Sequence, residues 1–297
     1  MLVDGTWRGE WKPSDGDDAK GRFVRKPSAF REAITDWEPG RYHLYAAYIC
    51  PWAHRTLITR ALKGLEDALP VHIVEPELTD EGWALDEGVD PLHGAHHLWQ
   101  LYAHADGQYT GRATVPLLWD SQRDTAVNNE SSEILRQLDA LPSDAPSLVP
   151  AEHLERIDEL NALMYESLNN GVYRAGFAAT QEAYDSAVAD VFRTLDTLEE
   201  LLAERDWLVC DRPTEPDIRL FVTAARFDLA YHGLFKCNLR RLADYPRLLD
   251  HTRRMLALPG VKQTFRPDHI QRGYYSIRAL NPSGIVPAGP AADALGF

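Results

Sequence analysis

The feature that most constrains the fold of this chain is a junction between a strand and a helix within residues 43–64. His43–Ile49 (HLYAAYI) is a short run of aromatic and apolar residues, which predicts a buried strand. Cys50 and Pro51 follow at once, and Pro51 suits the first position of a helix, where its missing N–H is not needed. Apolar residues then recur at helical spacing up to Gly64, a typical helix end. We therefore expect Cys50 to lie at a helix N-terminus.

The first half of the chain predicts a mixed arrangement of strands and helices. Further strands are expected at 71–76, 114–120 and 125–129, and an amphipathic helix follows the last of them. A long polar stretch at 77–110 exceeds the usual loop length within a domain, so we interpret it as a functional insertion. The predicted order is β-α-β-insertion-β-β-α.

The second half of the chain has a different pattern. LPSDAPSLVP is rich in proline and is typical of a linker. Beyond it, apolar residues recur at three- and four-residue spacing, which predicts helices at 151–170, 180–204, 216–232 and 246–258. The expected fold class is therefore α/β plus all-α.

These patterns predict the domain boundaries. They are an N-terminal extension at 1–40, an α/β domain at 41–140, a linker at 141–150, an all-helical domain at 151–265 and a C-terminal tail at 266–297. Trp7, Trp11 and Phe23 lie in the extension. Because disordered tails are usually poor in such residues, we expect the extension to be ordered against a folded body.

Charge and cysteine content exclude several classes of protein. Lys+Arg 31 against Asp+Glu 45 gives a formal net charge of −14, which argues against a nucleic-acid partner. No stretch approaches the ~18 apolar residues of a membrane span, and charged residues crowd the first positions, so neither a membrane segment nor a signal peptide is predicted. Cys50, Cys210 and Cys237 are too few and too far apart for a disulfide framework, so we expect a reducing, cytoplasmic location.

Among the three thiols, Cys50 has the position that most favours reactivity. A helix N-terminus lowers the pKa of a cysteine, and the thiolate is the nucleophilic form. The run Cys50-Pro51-Trp52-Ala53 lacks the second cysteine of a C-x-x-C site, so a covalent adduct would need an outside thiol for its release. The alternative is a buried, inert cysteine. Cys210 and Cys237 are interpreted as packing residues.

Two polar runs at helix starts have structural interpretations. Glu130-Ser131 opens a helix, where it could cap free N–H groups or bind the carboxylate and ammonium groups of a peptide ligand. The residues alone do not decide between these roles. Thr214-Glu215-Pro216-Asp217 fits a capping box before an apolar helix, so we interpret it as folding information.

Four histidines lie in or near the polar insertion, at His93, His96, His97 and His104. No acidic or cysteine residues accompany them at a convincing ligand spacing. We therefore expect solvated histidines and no metal site.

Several runs, taken in order, resemble one known family. Val115-Pro116 before a strand, after strand–helix–strand, resembles the thioredoxin fold, in which this proline is cis and lies against the active-site thiol. With a helical domain after it, the chain is similar to the glutathione transferases. Cys50-Pro51-Trp52-Ala53 resembles the omega-like Xi class, the glutathionyl-hydroquinone reductases. The resemblance covers nearly the whole chain and includes Glu81-Gly82-Trp83, Gly111–Pro116, Asn128–Ile134, Asn169–Tyr173, Asp217–Leu220, Arg226–Asp228, Phe235–Cys237, Asp268–Ile270, Tyr274-Tyr275 and Asn281–Ile285.

The resemblance implies a thioredoxin-like N-terminal domain, glutathione as co-substrate, and no metal or bound cofactor. It implies that Cys50 removes glutathione from a glutathionyl-hydroquinone through a mixed disulfide, which a second glutathione resolves. Tyr173 and Tyr274 are implied to act as acids toward the departing hydroquinone, and the alternative is that they only pack. The residues implied to bind glutathione are Trp83, Arg112, Val115, Glu130 and Ser131.

The resemblance leaves some alternatives open. This chain has Gly273 where the family pattern has a histidine, and the segment from Tyr275 to Asn281 is one residue shorter, so Tyr275 is the alternative to Tyr274. The family also implies a homodimer and small-molecule partners, namely a glutathionyl-hydroquinone and glutathione or a related γ-glutamyl thiol. Two other functions are a glutaredoxin-like thiol transferase and a non-catalytic binding protein with the transferase fold.

Overall fold

The computed structural model describes residues 1–9, 18, 20–24, 27–85, 88–290 and 296. The chain divides into two compact units. The first comprises 27–146 with the described part of 1–12, and the second comprises the described parts of 13–26 and 147–297. The first unit is α/β and the second is helical, which confirms the predicted fold class.

The first unit is built on a four-stranded sheet in the order β4-β3-β5-β6. Strands β3 and β4 are parallel and are joined by helix α1, because a parallel pair needs a crossover connection. Strands β5 and β6 follow as antiparallel neighbours, and α1 packs against α3. The elements of this unit are β1 Leu2–Val3, β2 Thr6–Trp7, β3 Tyr42–Ala46, α1 Pro51–Leu62, β4 Val71–Ile73, α2 Leu98–Ala105, β5 Leu117–Asp120, β6 Thr125–Asn128 and α3 Ser131–Asp139.

Two strands are shorter than predicted, because β4 ends at Ile73 and β5 begins at Leu117. Two further details also differ from the sequence prediction. Strand β3 ends at Ala46 and not at Ile49, because the chain turns before α1 and the N–H of Cys50 donates to the carbonyl of Ala47 at 3.1 Å. The polar insertion contains α2, a helix that was not predicted. A capping box formed by His97 and Gln100 starts this helix, and this box lacks the Ser or Thr that usually signals one.

The N-terminal residues are held on the first unit by Trp7. Its indole N–H donates to the carbonyl of Asp80 at 2.9 Å, and its ring stacks on Trp99 with centroids 5.7 Å apart. Gly82 has φ +79°, and a Cβ there would lie 3.0 Å from the Trp7 ring, so this contact requires glycine. The expected ordering of the N-terminal segment is confirmed at Trp7, whereas Trp11 lies outside the described residues.

Two further contacts fix the N-terminal segment. The N–H of Leu2 donates to the carbonyl of Gly111 at 2.9 Å, and the reverse bond measures 3.1 Å. In the second unit, Phe23 is buried and packs on Phe177 with ring centroids 5.5 Å apart. The expectation for Phe23 is therefore also confirmed.

The second unit packs around α7, which is buried along its whole length. Thr214 and Asp217 form the predicted capping box at its start. A helix at the start of the predicted tail was missed; its Ile270 and Tyr274 are buried one turn apart. The helices of this unit are α4 Leu154–Met164, α5 Gly171–Gly176, α6 Gln181–Leu201, α7 Glu215–Arg226, α8 Pro246–Leu256, α9 Val261–Thr264 and α10 Pro267–Tyr275, with π turns at Tyr165–Asn169 and Phe227–Tyr231.

Candidate active site

Cys50 immediately precedes α1, with an extended backbone at φ −77° and ψ 117°. Pro51 occupies the first helical position, as predicted, and the Cys50 side chain is half-buried. The first N–H groups of a helix have no partner within it, and together with the helix dipole they favour a negative charge. The fold therefore places Cys50 at a helix N-terminus, a position that generally favours the thiolate form of a cysteine.

Val115 lies beside this thiol. Its carbonyl oxygen accepts a hydrogen bond from Cys50 Sγ at 3.5 Å. The Val115-Pro116 peptide bond is cis, as the resemblance to the thioredoxin fold implies. The preceding Thr114 is anchored by Tyr102, whose hydroxyl donates to the Thr114 carbonyl at 2.7 Å. The structure thus brings together two of the predicted site residues, Cys50 and Val115.

Trp83 and Arg112 lie on two other segments of the first unit. The Trp83 carbonyl accepts from the N–H of Leu98, the first residue of α2, at 2.9 Å. The Arg112 carbonyl accepts from the hydroxyl of Tyr109 at 3.0 Å. Both predicted side chains are half-buried. Backbone anchors therefore fix the places from which these side chains extend.

Glu130 caps α3, and Ser131 is the first residue of that helix. The Glu130 carboxylate accepts from the N–H and hydroxyl of Ser132 at 3.3 and 3.0 Å, and from the hydroxyl of Ser28 at 2.9 Å. The N–H of Glu130 donates to Oδ1 of Asn128 at 2.7 Å. Glu130 therefore caps an N–H group at the start of α3, which is one of the two roles that the sequence left open. The other role, binding of a peptide ligand, stays a prediction.

Three tyrosine hydroxyls meet in the second unit. The Tyr274 hydroxyl lies 2.6 Å from that of Tyr173 and 2.8 Å from that of Tyr231. The ring of Phe235 packs edge-on against Tyr173 and Tyr274, with centroids 5.3 and 5.5 Å apart. The structure therefore brings together the predicted Tyr173 and Tyr274, and the hydroxyl of Tyr275 is not the one that contacts Tyr173.

Burial sets the protonation of this tyrosine cluster. Tyr231 and Tyr274 are 0% and 2% exposed, and Tyr173 is half-buried. Burial raises the pKa of Tyr231 and of Tyr274 well above the ordinary value, and the nearby Tyr173 raises both pKa values further. The buried guanidinium of Arg226 acts in the opposite direction. Both buried tyrosines are therefore neutral hydroxyls at physiological pH.

Sequence reasoning missed Tyr231. Phe227, Tyr231 and Phe235 recur at four-residue spacing, which is typical of a stripe of core residues. Phe227–Tyr231 is a π turn, and such turns are frequent at functional sites. Apolar spacing carries no signal for a π turn, so the sequence pattern alone indicates only packing.

The other two cysteines have the surroundings of packing residues. Cys237 is buried, and burial raises the pKa of its thiol to about 12. Cys210 is half-buried, and its thiol lies 3.7 Å from the carbonyl oxygen of Arg212. None of the three cysteines, all of which lie in the described part of the chain, forms a disulfide.

Comparison with known proteins gives matches in both units. Residues 49–141 match the family model "Glutathione S-transferase, N-terminal domain", and residues 181–254 match "Glutathione S-transferase, C-terminal domain". Glutathionyl-hydroquinone reductase PcpF of Sphingobium chlorophenolicum is 50% identical over 98% of this chain and 96% of its own length. Glutathionyl-hydroquinone reductase YqjG of Escherichia coli is 44% identical over 99% of this chain and 96% of its own.

Solved structures agree with these matches. Glutathione-S-transferase Xi from Phanerochaete chrysosporium has a TM-score of 0.90 and 44% identity, covering 93% of this chain and 95% of that chain. The glutathione-bound structure of YqjG has a TM-score of 0.85 and 42% identity, covering 98% and 96%. The chain therefore belongs to the glutathione S-transferase family, in the group that contains the Xi-class transferases and the glutathionyl-hydroquinone reductases.

Proposed function

We propose that this protein is a glutathione-dependent reductase that removes glutathione from glutathionyl-hydroquinones. Two relatives that align over almost their whole length carry that activity in their names. The observation in this chain that carries the proposal is Cys50, a single cysteine at the N-terminus of α1 with its thiol on the carbonyl of Val115. A nucleophile without a second cysteine suits a reaction that glutathione itself completes.

In the first half-reaction, the Cys50 thiolate attacks the sulfur of the glutathionyl group. An S–S bond forms, the bond between that sulfur and the ring carbon breaks, and its electron pair stays on the ring carbon. A proton is then added to that carbon. The products are the hydroquinone and a mixed disulfide between Cys50 and glutathione.

In the second half-reaction, the thiolate of another glutathione attacks the glutathione sulfur of the mixed disulfide. Cys50 leaves as a thiolate, and oxidised glutathione is released. Cys237 does not serve as an internal resolving thiol, because burial raises its pKa to about 12 and keeps it protonated. The ring carbon therefore gains two electrons, one from the thioether sulfur of the conjugate and one from the thiol sulfur of the second glutathione.

Glutathione is proposed to bind to the first unit through five residues. The backbone of Val115 pairs with the cysteinyl amide, and Glu130 with Ser131 at the start of α3 binds the γ-glutamyl end. Arg112 supplies a positive charge to an anionic ligand, against the net charge of −14. Trp83 completes the set from the loop before α2. The same groups would accept a related γ-glutamyl thiol.

The tyrosine cluster is proposed to serve the hydroquinone part of the substrate. Tyr274 and Tyr231 are neutral, so a chain of hydroxyls can support proton donation. Tyr173 is the half-buried member of the cluster, and we assign it the hydrogen bond to the hydroquinone oxygen. Tyr274 is assigned the support of Tyr173 as an acid, through the 2.6 Å contact between their hydroxyls.

The setting proposed for this reaction is the cytoplasm, with the protein as a homodimer and with neither nucleic acid nor membrane as a partner. Among the described residues, no helix has both the length and the apolar character needed to cross a membrane. The net charge of −14 disfavours a polyanionic partner. Three cysteines without a disulfide suit a reducing compartment.

The decisive experiment measures hydroquinone release from a glutathionyl-hydroquinone in the presence of glutathione. We expect turnover by the wild-type protein, loss of turnover in Cys50→Ser, and retention in the matched control Cys210→Ser. Mass spectrometry of the wild type with substrate, in the absence of free glutathione, would show one glutathione added at Cys50. Turnover by Cys50→Ser, or none by the wild type, would overturn the proposal.

A second substrate separates this function from a glutaredoxin-like thiol transferase. Both activities require Cys50, but only the reductase requires a group that acts on the quinone oxygen. Tyr173→Phe should therefore slow hydroquinone release while leaving the reduction of a simple glutathione mixed disulfide unchanged. Equal losses with both substrates would argue against the assignment of Tyr173.

A further inference from the structure

A cluster outside the site described above brings three metal-ligating side chains together in the first unit. Nε2 of His93 lies 2.6 Å from Oδ1 of Asp124, and Nε2 of His104 lies 2.8 Å from Oδ2 of the same carboxylate. One ligand atom from each residue lies within 4.8 Å of the others. His93 precedes α2, His104 is in its last turn, and Asp124 is in the turn between β5 and β6.

Buried side chains contact the two histidines of this cluster. Nδ1 of His93 lies 3.0 Å from Oδ2 of Asp90, whose side chain is fully buried. Oδ1 of Asp90 accepts from the hydroxyl of Tyr45 at 2.5 Å. The ring of Trp119 packs against both imidazoles, with centroids 4.9 Å from His93 and 5.8 Å from His104. A carboxylate on the far nitrogen of a histidine is the usual support of a metal-ligating imidazole.

Two carboxylates flank the His93 ring. Oδ2 of Asp90 lies 3.0 Å from its Nδ1, and Oδ1 of Asp124 lies 2.6 Å from its Nε2. Nε2 of His104 faces the same Asp124 carboxylate at 2.8 Å. The ligand atoms of His93, His104 and Asp124 are therefore directed toward one another.

We propose that His93, His104 and Asp124 bind one zinc ion, with water as the fourth ligand. Two imidazoles and a carboxylate are a donor set that zinc accepts in tetrahedral geometry, at about 2.0–2.2 Å from each ligand atom. Tetrahedral ligands at that distance lie about 3.3 Å apart. Ligand atoms that are up to 4.8 Å apart must therefore approach one another. Asp124, whose oxygens lie 2.6 and 2.8 Å from the two imidazole nitrogens, must move back by about 0.5–0.7 Å. Its side chain is 56% exposed and that of His104 is 43% exposed, so both are able to move.

The position of the cluster makes zinc a structural link. Asp124 follows the end of β5, whereas Val115-Pro116 precedes its start, so the length of the strand separates the cluster from the Cys50 thiol. The ion would join the segment that carries His93 and α2 to the β5–β6 turn. The expected effect of zinc is therefore a more stable first unit, independent of the reaction.

Zinc chloride alone is the probe. Cys50 and Cys210 are changed to serine in every protein, so that zinc bound by accessible thiols does not contribute, and no polyhistidine tag is present. Zinc is titrated in competition with a chromophoric chelator, and the melting temperature is measured with and without zinc. His104→Gln and Asp124→Asn remove ligands, and His96→Gln is the matched control in the same segment.

We expect one zinc ion per chain, bound with a Kd in the micromolar range or tighter, and a melting temperature raised by about 5 °C at saturating zinc. Each of His104→Gln and Asp124→Asn should weaken binding at least tenfold and abolish the thermal shift. His96→Gln should retain both properties. The proposal is overturned if the parent protein binds no stoichiometric zinc, or if both ligand variants bind it as tightly as the parent does.

Discussion

Tyr274→Phe offers a quantitative test of the tyrosine cluster, because it removes one hydroxyl and keeps the ring. The change deletes the contacts of 2.6 Å to Tyr173 and 2.8 Å to Tyr231. Each hydrogen bond contributes about 1 kcal/mol net, so the two together contribute about 2 kcal/mol. The edge-on packing of the ring against Phe235 is retained, so no cavity adds to this cost.

The assay is urea unfolding of the wild type, Tyr274→Phe and the control Tyr275→Phe. We expect the free energy of unfolding to fall by about 2 kcal/mol in Tyr274→Phe and by less than about 0.5 kcal/mol in the half-buried control. A double-mutant cycle with Tyr173→Phe should give a coupling energy of about 1 kcal/mol, since the two residues share one hydrogen bond.

Kinetics give the second readout of the same variant. Hydroquinone release should be about tenfold slower in Tyr274→Phe, which corresponds to about 1.4 kcal/mol of transition-state stabilisation, whereas disulfide exchange should keep its rate. If Tyr274→Phe unfolds like the wild type and the coupling energy is zero, the hydroxyl network does not stabilise the protein. If hydroquinone release also keeps its rate, the proposed role of Tyr274 is wrong.

Three further predictions concern stability. Burial raises the pKa values of Tyr231 and Tyr274, so above about pH 10 the unfolded chain loses tyrosine protons that the folded protein keeps. The free energy of unfolding should then fall by up to about 1.4 kcal/mol per pH unit for each of the two tyrosines. Urea unfolding between about pH 9 and 11 should show that this free energy falls less steeply with pH in Tyr274→Phe than in the wild type. Asp217→Ala should lower the free energy of unfolding by about 3 kcal/mol. The reason is that the buried Asp217 carboxylate accepts hydrogen bonds from the N–H of Leu208, from Thr214 and from Nε2 of His251. Urea unfolding at the wild-type midpoint would show that these bonds contribute little. Gly176→Ala should lower the free energy of unfolding by about 1–3 kcal/mol, because the added Cβ would lie 2.6 Å from the Phe235 ring. Gly107→Ala is the control, since a Cβ at Gly107 would have no atom within 4 Å. Equal stability of the two variants would contradict the packing argument.

The strand–helix junction could be predicted because its signals are local. Pro51 at the first helical position and the aromatic run before it belong to neighbouring residues, and the structure places Cys50 before α1 as expected. The capping box of Thr214 and Asp217 was equally readable, since it spans four residues of sequence. Rules that use only neighbouring residues therefore predict both the position of the proposed nucleophile and the start of α7, the central helix of the second unit.

The contacts that assemble the clusters could not be predicted from the same rules. Tyr173 and Tyr274 are 101 residues apart, and His93 and Asp124 are 31 apart, so no periodic pattern links them. Tyr231 joins its cluster through a π turn, which apolar spacing does not signal. The family resemblance predicts that Tyr173 and Tyr274 are functional residues. Their hydrogen bond depends on tertiary packing and could be seen only in the structure.

The pairing of Leu2 with Gly111 has a consequence for the order of events during synthesis. A ribosome adds about 5–20 residues per second, so roughly 5–20 s pass between the emergence of these two residues. During that interval Leu2 cannot form its backbone hydrogen bonds with Gly111. Trp7 likewise cannot stack on Trp99 until Trp99 has been synthesised. Leu2 and Trp7 therefore leave the ribosome before nearly all of the first unit, yet they are among the last of its residues to reach their native contacts, and until then the nascent chain carries them as exposed apolar groups.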